Sequence, residues 1–220
     1  MYFFLIFQTQ LNQQKMLKRR KAEEEAEKTK FKTINLENDY QIGQEIGSGQ
    51  FAVVRACIQK STGKRVAAKF IKKKQSKSSR RGVARIDVVR EVKILKMLNN
   101  VWWGTTCEHV MKLYDVYEDR QKVILIVELV AGGELFEYLS ENEFLEEAET
   151  ASIVKQVLTA VAFLHNKRVA HLDLKPENIM LLNKEQRPPV VKLIDFGLSQ
   201  HIIPGQDISA AHGTPEFVGE

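Results

Sequence analysis

The first half of the chain carries its apolar residues in short runs that are separated by glycine-containing turns. Runs rich in Val and Ile cover Tyr40–Ile46, Ala52–Gln59 and Arg65–Ile71. Short apolar runs bounded by Gly and Ser predict a meander of three antiparallel strands. The same pattern predicts further strands over Val110–Val116 and Lys122–Leu129.

The spacing of apolar residues changes between these strands and again after them. Residues 83–98 carry apolar side chains three and four positions apart, which predicts an amphipathic helix. The same spacing predicts helices over 134–140 and 146–165, with loops and short strands from Val169 to Ile194. A β-rich lobe followed by a helical lobe predicts the α+β fold class.

The first 39 residues differ from the rest of the chain in their amino-acid composition. They are rich in Gln and then in charged side chains, with strong helix formers but little apolar periodicity. This composition predicts a solvated N-terminal extension, 1–39, that is either helical or disordered.

Composition narrows the class of protein. The chain has 220 residues, of which 44% are hydrophobic and 28% are charged, values typical of a globular protein with a core. Its two cysteines, Cys57 and Cys107, cannot form a disulfide framework, which favours the cytoplasm, with the nucleus as an alternative. No apolar run approaches the ~18 residues of a membrane span, so no span is predicted.

The net charge of +5 is unevenly distributed. Residues 60–85 contain eleven Lys and Arg and no acidic residue. The basic loop 72–85 could bind an acidic protein partner or an anionic membrane, or could be a solvated loop. Because no aromatic residues are interleaved with the charges, nucleic-acid binding is not expected.

A glycine-rich turn is the first candidate for a chemical role. It runs through Ile46, Gly47, Ser48, Gly49, Gln50, Phe51, Ala52, Val53 and Val54. Two glycines let a backbone approach phosphate oxygens closely, although a hairpin turn without a ligand has the same pattern. The absence of a Gly-Lys-Ser/Thr ending argues against a P-loop, and the strand that follows argues against a dinucleotide fold.

A lysine in an apolar strand is the second candidate. Lys69 ends the run Val66-Ala-Ala, and Glu91 lies on the predicted helix. Such a lysine could extend to solvent. Alternatively, Glu91 could hold the buried ammonium group against phosphate oxygens.

The third and fourth candidates lie close together in the second lobe. Asp173, Lys175 and Asn178 occur in the segment His-Leu-Asp-Leu-Lys-Pro-Glu-Asn, and Asp195 begins Asp-Phe-Gly. They supply a proton acceptor, a cation for phosphate, and oxygen ligands of the kind that Mg²⁺ prefers.

These four motifs, in this order, resemble those of a eukaryotic protein kinase catalytic domain. The resemblance runs from Tyr40 to Val218 and places the chain in the calcium/calmodulin-dependent group. Within that group the chain is similar to the death-associated protein kinases. The similarity is carried by Gly47–Val54, the segments 68–74, 78–83, 128–136 and 174–182, and Gly-Thr-Pro-Glu-Phe at 213–217.

The resemblance implies a two-lobe protein-kinase-like fold. Residues 40–130 would form a complete β-rich N-lobe, and 131–220 a truncated helical C-lobe ending in the activation segment. The family's later helices and its calmodulin-binding segment would then lie outside this sequence. A longer connection at 99–109 carries Trp102 and Trp103, either as an exposed patch or packed against the lobe.

The resemblance also implies the roles of individual residues. Asp173, Lys175, Lys69 and Glu91 would be catalytic, and Asn178 and Asp195 would hold Mg²⁺. The glycine-rich turn and Lys69 would contact the ATP phosphates. The remaining ATP contacts would come from Ala67, Glu128, Val130, Glu134, Glu177, Met180 and Asp195, with Ile46 and Val54 as apolar walls.

The function implied is that of a serine/threonine protein kinase in signalling, including apoptosis, which transfers the ATP γ-phosphate to protein substrates. A rival hypothesis is a weak or inactive fragment that binds a nucleotide or a partner. All the catalytic residues favour the enzyme, whereas the shortened second lobe favours the rival.

Overall fold

The first lobe is built around one antiparallel sheet. A computed structural model describes residues 16–33, 35–76, 79–100, 106–142, 144–205, 214 and 216, and the structural statements below concern these residues. The sheet has the order β1-β2-β3-β5-β4. Its strands are β1 (Tyr40–Ser48), β2 (Ala52–Gln59), β3 (Arg65–Lys72), β4 (Leu113–Glu118) and β5 (Lys122–Glu128).

The two central strands explain why the sequence patterns there are nearly continuous. In β5 the five residues 123–127 are all buried, and in β3 the buried residues are Val66, Ala67, Ala68 and Ile71. A strand that is covered on both faces loses the alternation of a half-exposed strand. The predicted meander of β1, β2 and β3 is confirmed.

One helix, α3 (Arg85–Leu98), lies beside this sheet. Its buried residues include Val88, Val92 and Leu95, which are spaced as the amphipathic pattern predicts. The helix begins two residues later than predicted because Val83 forms a β-bridge with Lys73 instead. Val83 donates to the carbonyl of Lys72 at 2.8 Å, which keeps it extended.

The fourth strand is shifted from its predicted position. The sequence predicts Val110–Val116, but β4 begins at Leu113. Val110 forms a parallel bridge with Leu193 of the second lobe, so its apolar side chain belongs to a contact between lobes. The Asn99 side chain donates to the Met111 carbonyl and accepts from the Leu113 amide, at the point where the chain enters β4.

The second lobe consists of helices and short strand pairs. Its helices are α4 (Leu135–Glu141) and α5 (Glu147–Asn166), close to their predicted bounds. Two small sheets pair β6 (Val169–Ala170) with β9 (Gln200–His201), and β7 (Ile179–Leu181) with β8 (Val191–Leu193). The predicted α+β fold of two lobes is therefore confirmed.

The N-terminal extension is less exposed to solvent than its sequence predicts. Residues 16–28 form a helix, α1, and Leu36–Asp39 form α2. Instead of being wholly solvated, the extension has Ala26, Phe31 and Leu36 buried. In the described part of the chain no helix is long and apolar enough to cross a bilayer.

Parts of several regions singled out by the sequence lie outside the described residues. They are 1–15 of the extension, the tryptophan pair Trp102 and Trp103, 77–78 of the basic loop, and 206–213, 215 and 217–220 of the predicted activation segment. The end of the long connection is described, and there His109 donates one hydrogen bond from Nδ1 to the carbonyl of Val191 at 3.0 Å. This hydrogen bond joins the connection to β8, so His109 has a structural role between the lobes.

Candidate active site

The centre of the site is an ion-pair triad formed by three separate elements. The Lys69 ammonium, on β3, lies 3.0 Å from Glu91 Oε1 and 3.1 Å from Asp195 Oδ1. Glu91 comes from α3 and is 4% exposed, whereas Asp195 follows β8. Lys69 therefore does not extend to solvent, and the structure brings together the three charged groups that the sequence predicts.

Charge pairing controls the ionisation of this triad. Burial alone lowers the pKa of Lys69, but the carboxylates of Glu91 and Asp195 outweigh burial and raise that pKa above its ordinary value. The Lys69 ammonium in turn lowers the pKa of Asp195. The side chain of Asp195 is 46% exposed, so an ionised carboxylate faces the solvent beside a permanently charged lysine.

The glycine-rich turn leads into β2, where Val54 is paired with Lys69 of β3. The hairpin is closed by a hydrogen bond from the Gly49 amide to the Ala52 carbonyl at 2.8 Å. A Cβ at Gly47 or Gly49 would meet no protein atom closer than 4.0 Å. Packing within the protein therefore does not require glycine at these positions, which fits a need for close approach by a ligand.

The loop at 171–178 holds Asp173 and Asn178 against each other. The Asn178 amide nitrogen donates to both the backbone carbonyl and the carboxylate of Asp173, each at 2.8 Å. Asn178 Oδ1 is the remaining side-chain atom that can bind a cation. Together with the Asp195 carboxylate it supplies two hard oxygen ligands, which fits Mg²⁺ bound additionally through phosphates.

In the described part of the chain, no larger cluster of metal-binding side chains accompanies the two candidate ligands. Among the described residues, no group of three or more His, Cys, Asp or Glu side chains could hold a metal ion. A cation at Asn178 and Asp195 would therefore depend on ligand oxygens to complete its coordination.

Buried aromatic packing fixes the turn that carries Asp195. Phe196 is fully buried and meets the His171 ring edge-on at 5.0 Å. Asp195 and Leu172 have φ values of 55° and 64°, which are strained for residues with side chains. Such strain persists because the neighbouring contacts hold the backbone in place.

His171 links the two loops as a neutral ring. One ring nitrogen, Nε2, lies 3.0 Å from the Ile194 carbonyl, which can only accept, so Nε2 carries the proton. The other, Nδ1, accepts from the Asp173 amide at 3.4 Å. Burial lowers the pKa of His171, in agreement with this neutral tautomer.

This ring predicts a pH dependence of stability. The folded-state pKa of His171 is lowered, so its contribution is fully present above the unfolded pKa of about 6.5 and is lost as pH falls towards the folded value. The free energy of unfolding should fall by up to about 1.4 kcal/mol per pH unit from this group. Denaturant melts of the chain and of His171→Gln between pH 7.5 and 5 check this. A parallel pH dependence in both proteins would contradict it.

Thr214 is a site residue for which the sequence analysis assigned no role. Its hydroxyl donates to Asp173 Oδ1 at 2.9 Å and accepts from the Lys175 ammonium at 2.8 Å. Lys175 and Asp173 are themselves 3.7 Å apart. Thr214 therefore bridges the two candidate catalytic groups. Its only signal in the sequence is its place in Gly-Thr-Pro-Glu.

We expect the hydroxyl of Thr214 to matter more than its shape. Thr214→Val keeps the volume but removes both hydrogen bonds, and it should lower the rate of the phosphoryl transfer that the sequence resemblance implies by about tenfold or more. Thr214→Ser keeps the hydroxyl and should retain most of the rate. Equal rates for the valine and serine variants, measured by peptide phosphorylation, would show that the bridge has no role.

The chain between the lobes lies where the resemblance expects adenine. Gly132 and Gly133 are tied to Leu181 by two backbone hydrogen bonds of 2.8 and 2.9 Å. A Cβ at Gly132 would lie 2.5 Å from the Leu181 carbonyl oxygen, so packing requires glycine there. Ala67 and Val130 are buried, and Met180 is half-buried on β7. Ile46, predicted as a wall, is 44% exposed.

A buried lysine supports this connection and was also missed by the sequence analysis. The Lys192 ammonium lies 3.0 Å from the Glu128 carboxylate and donates to the Glu108 carbonyl. Lys192 is 3% exposed and lies on β8, so it joins the connection to the strand before Asp195. The sequence signal that could have identified Lys192 is its position within the apolar run Val-Lys-Leu-Ile.

Three carboxylates surround the outer end of the site. Burial, followed by repulsion from Glu137 and Glu177, raises the pKa of Glu134. Glu134 also forms a β-bridge with Met180. Glu134 and Glu177, which the resemblance implies as ATP contacts, thus share one negatively charged neighbourhood.

Comparison with known families decides the identity of this arrangement. The sequence model of the family described as "Protein kinase domain" matches residues 40–220. The chain belongs to the protein kinase family. The positions of the triad, the 171–178 loop and the glycine-rich turn agree with this membership.

Death-associated protein kinases are among the relatives of this kinase chain. Human death-associated protein kinase 2 is 53% identical over 86% of the chain, and that match covers 49% of the relative. Caenorhabditis elegans death-associated protein kinase dapk-1 is 46% identical over 86% of the chain and 13% of its own length. Rabbit serine/threonine-protein kinase 17A is 36% identical over 87% of the chain and 46% of its length. The chain thus spans about half the length, or less, of these relatives.

Proposed function

We propose that the chain binds ATP with Mg²⁺ and transfers the γ-phosphate to serine or threonine residues of proteins. The observation that carries this proposal is the triad of Lys69, Glu91 and Asp195, with distances of 3.0 and 3.1 Å. Because burying an ion pair such as Lys69 and Glu91 is costly for stability alone, a role in binding phosphates accounts for the triad better.

Each group has one task in this proposal. Lys69 would bind the α- and β-phosphates, and Asp173 would orient the substrate hydroxyl and accept its proton. Lys175 would neutralise charge on the transferring phosphoryl group. Asn178 and Asp195 would hold Mg²⁺, which when bound neutralises phosphate charge. Catalysis of this type depends mainly on positioning and on fixed charges.

Two features support a basic serine or threonine peptide as substrate. Lys175 stands two residues after Asp173, as the resemblance expects for serine/threonine kinases, and Thr214 joins the two groups. Burial, followed by repulsion from Glu137 and Glu177, raises the pKa of Glu134, so the three carboxylates lie close together, and this negatively charged group would attract basic side chains.

The test is transfer of labelled phosphate from ATP to a basic peptide that contains one serine. Transfer should require Mg²⁺ and should fall when the serine is replaced by alanine. The 220-residue chain is compared with a version that continues into the second-lobe helices of death-associated protein kinase 2. Absence of transfer from both proteins would overturn the proposal.

The packing of α5 favours a second candidate for the chain by itself, a binding module with weak catalysis. Ile153 and Leu164 are buried, but Val154 and Leu158 are 48% and 61% exposed. At about 25 cal/mol per Å², uncovered apolar surface leaves the second lobe less stable. Retained ATP binding with little transfer in the short chain would support this candidate.

We also propose an acidic protein partner for the basic loop 72–85. Lys72, Lys74, Arg80 and Arg81 are exposed. By contrast, Lys73 and Arg85 pair with Glu118 inside the protein and are not available. Neutralising Arg80 and Arg81 should weaken partner capture and reduce its dependence on salt, without changing ATP affinity.

The cellular setting follows only from the relatives and from cysteine use. We propose a signalling role connected with apoptosis, because two of the relatives are death-associated kinases. We further propose a cytoplasmic location, with the nucleus as the alternative. Imaging of a tagged chain in resting and dying cells would test both.

A further inference from the structure

The N-terminal extension packs on the helix that carries Glu91. Extension residues 16–33 precede the matched kinase region, which begins at residue 40. Ala26 and Phe31 of the extension are buried in the same core cluster as Val89 of α3. The extension is therefore part of the first lobe's packing rather than a solvated tail.

A backbone pairing fixes the end of the extension to the sheet. Lys32 donates to the Val116 carbonyl at 3.1 Å and accepts from the Glu118 amide at 2.8 Å. Val116 and Glu118 belong to β4, which is an edge strand of the sheet. An edge strand offers unpaired backbone groups, and here the extension satisfies some of them.

Arg85, at the start of α3, joins three elements through one guanidinium group. It donates two hydrogen bonds of 2.7 Å to the two Glu118 oxygens, a bidentate pair at the end of β4. It also donates to the extension carbonyls of Ala26 and Thr29 and lies 5.4 Å from the Phe31 ring. The planar fork of arginine suits such simultaneous contacts better than lysine does.

A second contact lies two turns further along the same face of α3. The Lys93 ammonium is 2.6 Å from Glu25 Oε1 of the extension. A period of 3.6 residues places Arg85, Val89 and Lys93 on one face and Glu91 towards the other. The helix is therefore held from the extension side by two contacts and from the site side by the pair of Glu91 with Lys69.

Helix α3 also contacts the turn after Asp195. Arg90 donates to the Gly197 carbonyl at 3.0 Å. A displacement of α3 would therefore disturb both the Lys69–Glu91 pair and the Asp195 turn.

We propose that the extension holds α3 where Glu91 can pair with Lys69, and that Arg85 is the positioning residue that couples them. The proposal rests on the proposed function only in treating the Lys69–Glu91 pair as part of the active site. Loss of the extension contacts would free α3 without touching any group that binds the nucleotide. The expected result is a local loosening of α3 and of residues 195–199.

The test is hydrogen exchange of the intact chain, in which peptides from α3 and from 195–199 are compared with peptides from β2 and β3. Glu25→Lys and Lys93→Glu should each speed exchange in α3 about two- to fivefold, as expected for one exposed ion pair. The double reversal should restore the original rate. Arg19→Glu is the matched control, because the Arg19–Glu23 pair lies inside the extension.

Arg85 provides the larger effect. Arg85→Ala should speed exchange in α3 and at 195–199 at least tenfold, since several charge-assisted hydrogen bonds are lost. In Arg85→Lys, the exchange rate should lie between those of Arg85→Ala and the unchanged chain. Unchanged α3 exchange, a uniform rise across β2 and β3, or a double reversal that fails to restore the rate would overturn the proposal. These readouts need no phosphoryl transfer, so they separate this proposal from the proposed function.

Discussion

Replacement of Lys69 by methionine is expected to lower phosphoryl transfer by about 10²-fold or more, because charge on the reacting phosphates loses its partner. Methionine fills similar space but cannot pair with Glu91 or Asp195. The transfer rate to a basic peptide is measured in the version with extended second-lobe helices. Because Glu91 is buried and loses its ion-pair partner, a lower melting temperature is also expected, and rates are compared well below it.

Lys72→Met is the matched control for this experiment. Lys72 lies on the same strand, three residues further along, and its side chain is exposed. The same change of charge and shape there should leave the rate within about twofold. If Lys69→Met retained full activity, the assignment of Lys69 as a catalytic residue would be wrong, whatever the control shows.

Most of the first-lobe fold could be predicted because its signals are local. Strands β1, β2 and β3 follow from Val- and Ile-rich runs between glycine turns, and α3 follows from apolar spacing. The β4 boundary could not be predicted, because the apolar residue Val110 pairs with Leu193, which is distant in sequence, and does not belong to the strand. Local pattern cannot tell which partner an apolar residue will cover.

Candidate site residues were predictable where a charged residue stands in an apolar or glycine-rich context. Lys69 and Asp195 are of this kind, and the structure places them 3.1 Å apart. Thr214 and Arg85 gave no such signal, because an isolated threonine or a surface-type arginine is common in any sequence. Their contacts arise only when the loops and the extension meet in three dimensions.

Replacement of Asp195 by asparagine is expected to remove the Mg²⁺ dependence of ATP binding. In the unchanged chain, chelation of Mg²⁺ should weaken ATP binding, because Asp195 supplies one of the two proposed oxygen ligands. Asparagine retains an oxygen that can accept the Gly197 amide bond and the Lys69 contact, so the turn should keep its shape. What is lost is the negative charge, and transfer should fall about 10²-fold or more.

Calorimetric titration of ATP into the intact chain, with and without Mg²⁺, measures this effect directly. Asp119→Asn is the matched control, because Asp119 Oδ1 accepts hydrogen bonds from the amides of Gln121 and Lys122 in the turn between β4 and β5. That variant should keep the full Mg²⁺ dependence. If Asp195→Asn also kept it, the cation would have to bind through phosphate oxygens and Asn178 alone. The exposed carboxylate beside Lys69 would then serve only to orient the lysine, and the assignment of Asp195 as a metal ligand would be wrong.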